Sequence, residues 1–186
     1  MKIILLCAPA RSGKDTLYPI LEKSLKKQFG GNWKQFAFAT KLKEDLKDIV
    51  KERYGVSVWD DSKKHLFRDS LIQYGEQKRK ETNNRYLVDF FTKYHSPFLN
   101  YVITDWRFIN EYHDLVDYFG HTAKIYPIYI ERFIERNRLQ FVTHPTIPQE
   151  IEQYKEIKEN AKVYQIPWEE GLFWKSKLNN YEFKIR

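Results

Sequence analysis

An α/β fold is what this sequence of 186 residues predicts, and three observations carry the prediction. Residues 3–7, IILLC, are an apolar run too short for an independent helix and suited to a buried parallel strand. The segment that follows, Ala8-Pro9-Ala10-Arg11-Ser12-Gly13-Lys14-Asp15-Thr16, places Gly-Lys in the first strand-to-helix turn. Short β-type stretches then alternate with helical periodicity, the pattern of a sheet covered by helices.

The length suits one α/β domain with a sizeable core, so a single domain over 1–186 is expected. Hydrophobic residues at 42% and aromatics at 17% argue against disorder, and no apolar run approaches the roughly 20 residues that span a bilayer. The first apolar run leads into a loop instead of a small-residue cleavage site, which is not the pattern of a signal peptide. A lone cysteine, Cys7, fits a reducing compartment, and a cytoplasmic location is the expectation. The net charge of +7 favours anionic partners in general without separating a mononucleotide from a polymer. The five histidines show no zinc spacing.

The Gly-Lys segment is a variant of GxxxxGK[ST], a loop whose backbone N–H groups fold around a polyphosphate at a helix N-terminus. Ala10, Arg11, Ser12 and Gly13 would face the anion, and Lys14 would reach its outer phosphates. Ala8 stands where the first Gly is usual. A small side chain and a negative φ suffice there, and the following Pro9 favours that φ. Asp15 replaces the Ser or Thr that touches Mg²⁺, and a carboxylate can hold the ion directly or through water. Thr16 offers a hydroxyl to an inner phosphate.

Downstream, Leu17, Ile20, Leu21, Leu25 and Phe29 repeat at helical spacing until Gly30-Gly31. Residues 36–39 read as a second strand, with Thr40 as N-cap of a helix carrying Leu42, Leu46, Ile49 and Val50. Lys41 and Lys43 fall at its start, where an anion could bind, although taken alone they suit a solvated helix face better. Residues 55–62 read as a loop with an aromatic plug, and helices are expected over 63–80 and 86–94. Gly75, inside the first of these, marks a close approach to the backbone. Residues 99–104 form a third strand ending in Asp105-Trp106-Arg107-Phe108. An acid just beyond an apolar strand is where a second Mg²⁺-organising carboxylate belongs, although an N-cap Asp beside a surface Arg fits those four residues equally.

A helix should run from Asn110-Glu111 to Phe119 with Gly120 as its cap. Residues 124–130 form a fourth strand, with Pro127 where no ladder donor is needed. Arg132 and Arg136 would share a face if 131–138 were helical. Residues 139–148 are turn-rich, 149–162 are helical, and 181–185 form a last strand.

Four blocks, residues 11–16, 36–43, 68–79 and 103–111, together resemble the deoxynucleoside monophosphate kinases of large bacteriophages. More distantly they resemble phosphomevalonate kinase, which shares the Gly-Lys-Asp form of the loop. Trp106 stands where that family usually has a smaller residue. The resemblance implies a three-layer P-loop kinase fold with a five-stranded parallel sheet. It also implies an acceptor-binding helical region over about 40–95 and a short lid over about 131–148. It implies transfer of the γ-phosphate of ATP to a deoxynucleoside monophosphate, with Mg²⁺ held by Asp15, Thr16 and Asp105. Lys43, Arg68, Gln73, Arg79, Asp105, Arg107 and Glu111 would serve the acceptor. Lys14, Asp15, Arg107, Arg132 and Arg136 would serve the transfer, and Arg138 the ATP. The partners are then small-molecule nucleotides in a cytoplasm, the host's if the protein is viral, with a homodimer left open. The competing expectation is a P-loop protein acting on DNA, which the charge and the aromatics Trp33, Trp59, Trp168 and Trp174 would suit.

Overall fold

The computed structural model describes residues 1–9, 14–134, 140–141, 148–168 and 185. The chain divides into two compact units, Met1–Phe36 with Ser96–Arg186, and Ala37–His95.

The first unit is built on a sheet. Its strands are β1 (Lys2–Cys7), β2 (Trp33–Phe36), β3 (Asn100–Ile103), β4 (Lys124–Ile134), β5 (Gln140–Phe141) and β6 (Lys162–Trp168). Five of them run parallel in the order β2-β3-β1-β4-β6, while the two-residue β5 pairs antiparallel with the end of β4. The helices of this unit are α1 (Lys14–Phe29), α5 (Ile109–Phe119) and α6 (Pro148–Asn160).

Period-two alternation decides what each face of the sheet holds. Ile4 and Leu6 of β1 pack with Val102, Ile128 and Ile130 under Leu17, Leu21 and Leu25, which recur every fourth residue along α1. The opposite face carries Tyr129, in register with Cys7, and Tyr129 meets Tyr154 of α6 with ring centroids 6.0 Å apart. Burial of these apolar faces is the main stabilising contribution in this unit. The turn from α1 into β2 needs positive φ at two successive positions, +64° at Gly30 and +74° at Gly31. A side chain at Gly31 would also meet Asn100 at 2.9 Å.

The second unit consists of α2 (Ala39–Tyr54), α3 (Lys64–Glu81) and α4 (Tyr86–Tyr94). Leu42, Leu46 and Val50 of α2 and Phe67, Leu71 and Gly75 of α3 are buried. The close approach expected at Gly75 is real. A Cβ there would lie 3.2 Å from Leu42 Cδ1, so the glycine lets that side chain of α2 reach the backbone of α3.

Several expectations need correction. The second strand is Trp33–Phe36 and not 36–39, because Trp33 is buried and pairs level with Asn100, whereas Phe38 has already turned to φ −58°, ψ −37°. That turn makes Phe38 the N-cap, without a side-chain cap bond, and puts Thr40 inside the helix. Ile49 is exposed, and in the loop after α2 the buried residue is Val58, not an aromatic. Residues 131–134 continue β4 instead of starting a helix, because β6 supplies a ladder for them through Ile134↔Trp168. The fifth parallel strand is β6, formed by residues 162–168, for which no strand was expected. Residues 181–184 lie outside the described residues, while Ile185 is buried and its N–H donates to Gln28 Oε1 at 3.1 Å. Pro127 stands level with Leu5, and β6 joins β4 only from Ile128 onward, which leaves a flank where a residue without an N–H fits. Among the described residues no helix is long and apolar enough to cross a membrane.

Candidate functional site

β1 and β3 are neighbours with Leu5 level with Ile103, so the exit from β1 at Ala8 and the turn at Asp105 emerge side by side. From β1 the chain crosses through α1 to β2 on one side, and from β3 it crosses through α5 to β4 on the other. Two adjacent parallel strands whose connections diverge form a topological switch point, the position where open α/β sheets bind ligands. Lys14, Asp15 and Thr16 form the first turn of α1, whose unsatisfied N–H groups and positive dipole end favour an anion. Ala10, Arg11, Ser12 and Gly13 lie outside the described residues.

The turn after β3 is held from three directions. Thr104 is buried, and its N–H donates to the Phe36 carbonyl at 3.0 Å, tying the end of β3 to β2. Trp106 is 1% exposed, and its indole N–H donates to the Phe108 carbonyl at 2.7 Å. Glu111 is 3% exposed; its Oε2 accepts from the N–H groups of both Arg107 and Phe108 at 3.2 Å. The Glu111 N–H in turn donates to the Phe108 carbonyl at 3.1 Å, which completes a reciprocal cap at the start of α5. Asp105 and Arg107, both half-buried, are therefore carried on a fixed backbone. Glu111, expected on the acceptor, has its carboxylate turned to the backbone of this turn.

At the neighbouring strand end, Lys158 of α6 pairs with Glu131 of β4 and lies 4.9 Å from the centre of the Tyr129 ring. Burial holds the Tyr129 hydroxyl protonated well above its usual range, assisted by Cys7, Glu131 and Tyr154. Arg132 belongs to β4, level with Ile166 of β6; Arg136 and Arg138 lie outside the described residues.

The helical unit carries the other expected residues. Lys43 is 3.3 Å from Asp61 Oδ1, with its ammonium 5.3 Å from the centre of the Trp59 ring. On α3, Arg68 and Arg79 border the buried stripe of Phe67, Leu71 and Gly75 and lie on one face, about 16 Å apart along the axis. Gln73 sits about 140° around the helix from Arg68 and is exposed, so the structure does not bring it to the face of the two arginines.

One polar network escaped the sequence reading. Asp45 of α2 accepts from Lys41 and from the Tyr86 hydroxyl of α4. The Lys41 ammonium lies 5.7 Å from the Tyr86 ring and 5.6 Å from the Phe90 ring, and Lys78 of α3 lies 5.4 Å from the Tyr74 ring. Burial and the hydrogen bond to Asp45 raise the Tyr86 hydroxyl far above its usual range. The four-residue spacing of Lys41 and Asp45 was the available signal.

No known family matches the sequence, and neither does any curated protein. Among solved structures the chain is similar to a de novo designed P-loop fold protein, determined in solution by NMR. Sequence identity to it is 11%, the TM-score is 0.33, and the match covers 97% of this chain and 89% of the other.

Proposed function

We propose that this chain is a P-loop kinase that transfers the γ-phosphate of ATP to a deoxynucleoside monophosphate. The observation that carries the reading is the switch point between β1 and β3, where the Gly-Lys loop and Asp105 leave adjacent parallel strands at the same level. On this reading the loop N–H groups, the first turn of α1 and Lys14 bind the donor phosphates. The acceptor phosphate has a second pKa near 6, so it is largely dianionic at neutral pH and needs no general base. That suits a turn whose buried carboxylate, Glu111, caps backbone and abstracts nothing.

Asp15, Thr16 and Asp105 would offer an all-oxygen donor set, the chemistry that suits Mg²⁺. When bound, Mg²⁺ supplies charge neutralisation on the donor phosphates. Arg107 would orient the acceptor phosphate from the fixed turn after β3, with Lys43, Arg68 and Arg79 as further acceptor residues. Arg132, Arg136 and Arg138 would neutralise charge on the transferring group. Residues 131–134, expected to open the lid, are held in the sheet ladder with β6, and residues 135–139 and 142–147 lie outside the described residues.

ADP release from Mg·ATP, measured against deoxynucleotides, ribonucleotides and a short single-stranded DNA, tests the proposal. Turnover with at least one mononucleotide is expected. Turnover with DNA alone would move the acceptor to a polymer and contradict it.

A further inference from the structure

Trp59 is 50% exposed, although large aromatic side chains contribute most when buried. It is not loosely displayed. Its N–H donates to Ser57 Oγ at 3.2 Å, the next N–H, that of Asp60, donates to the Ser57 carbonyl at 3.1 Å, and Val58 beside it is 1% exposed. Asp60 then caps the following turn through the Ser62 N–H at 3.0 Å, and its hydrogen bonds with Ser62 hold its carboxyl below the usual range. A rigid loop thus presents an indole to solvent, and among the described residues the indole N–H makes no hydrogen bond.

The surroundings of the ring select what it would accept. The Lys43 ammonium lies 5.3 Å from the ring centre and 3.3 Å from Asp61 Oδ1. The two partners differ in burial, since the Lys43 side chain is 14% exposed and the Asp61 side chain 78%. An ion pair with so exposed a carboxylate is weak and exchangeable, so Lys43 can trade it for a phosphate. A half-exposed indole with a cation over its ring, and a carboxylate beside that cation, matches a nucleotide: a π face to stack on the exposed part of the ring, an anion to pair with the lysine and base edges to hydrogen-bond. A purely apolar ligand would offer the lysine no anion in exchange for Asp61.

We propose that Trp59, with Lys43 and Asp61, is the nucleobase platform of the acceptor mononucleotide. The assignment rests on the kinase reading above and adds the residue that recognises the base. Stacking of this kind contributes roughly tenfold or more in affinity per base.

Calorimetric titration of the full chain with dAMP, dGMP, dCMP and dTMP, and with 2-deoxyribose 5-phosphate, tests it. The deoxynucleotide bound best should exceed the sugar phosphate by about tenfold or more. Trp59→Ala should bring its affinity down to that of the sugar phosphate and leave the sugar phosphate unchanged. Trp59→Phe should keep most of the affinity, because a phenyl ring still stacks. Unchanged deoxynucleotide affinity in Trp59→Ala would overturn the platform while the kinase reading stands. Trp59-dependent binding without any diphosphate formed from Mg·ATP would overturn the kinase reading and keep the platform. Failure of every mononucleotide to bind would overturn both.

Discussion

Glu111 and Asp45 are two carboxylates with opposite uses. Glu111 lies under the turn after β3 and accepts from two backbone N–H groups, so it sets the path of the chain between Asp105 and Phe108. Asp45 lies among helices and accepts from two side chains, Lys41 and Tyr86, linking α2 to α4 without fixing any loop. In the sheet unit, among the described residues, an apolar core packs between the sheet and α1, and Glu111 fixes the backbone where it leaves β3. In the helical unit a polar network supplements a thin apolar stripe. Loss of Glu111 should therefore disturb the geometry of Asp105 and Arg107 as well as stability, while loss of Asp45 should act on stability.

Replacing Glu111 by Ala removes the carboxylate that accepts from the part-buried N–H groups of Arg107 and Phe108, hydrogen bonds to a charged group that contribute about 1.5–3 kcal/mol each. Denaturant unfolding should report the largest loss of this set. Glu111→Gln keeps an acceptor oxygen and should recover a large part. If the Ala variant unfolded like the parent, the capping role would be withdrawn.

Asp45→Ala should cost less, about 1 kcal/mol, since Lys41 can turn to solvent and the Tyr86 hydroxyl keeps its hydrogen bond with Tyr74. Its ATP affinity should match the parent's. A collapse of ATP affinity with unchanged stability would erase the contrast between the two carboxylates.

Alkaline pH separates the units by another route. Tyr129 in the sheet unit and Tyr86 in the helical unit both have hydroxyls raised by burial above the unfolded value near 10. The unfolded chain loses these protons first, so the stabilisation is fully present below about pH 10 and is lost as pH rises past it. Between about pH 9.5 and 11.5 stability should fall less steeply in Tyr129→Phe than in the parent. Parallel slopes would remove Tyr129 from the account.

The smallest effect is expected at Gly75. Ala gains about 1 kcal/mol of helix propensity, but its Cβ would sit 3.2 Å from Leu42 Cδ1, a flexible terminus that can shift. Near-neutral stability is the expected outcome. A loss of several kcal/mol would mean that Leu42 cannot move.

What could be read from sequence followed local signals. α1 carries an unbroken four-residue repeat closed by Gly30-Gly31, and α4 and α5 are short and strongly periodic. Where the answer depended on distant pairing, local signals failed. Residues 33–36, WKQF, become a strand because Trp33 is level with Asn100, while the more β-like 36–39 turns into a helix. KVYQIPW carries Pro167 and follows a polar helix, and only β4 alongside makes it a strand. The same pairing draws the charged 131–134 into the sheet. At the candidate site, the positions of Lys14 at the start of α1 and of Asp105 just beyond β3 were legible, because each follows directly on an apolar strand or its turn. The capping role of Glu111 was not, since a Glu three residues after Phe108 lacks the Ser or Thr that usually announces a capping box.

The central claim is that the carboxyl edge of β1 and β3 moves a phosphoryl group onto a nucleotide phosphate. Phosphorus NMR of Mg·ATP with a deoxynucleoside monophosphate reads this directly, in the parent and in Lys14→Ala. The account predicts ADP and the deoxynucleoside diphosphate appearing together in the parent. It also predicts a rate lower by a factor of about 100 or more in the variant, with folding unchanged. ADP and free inorganic phosphate without any deoxynucleoside diphosphate, or an equal rate in Lys14→Ala, would contradict it.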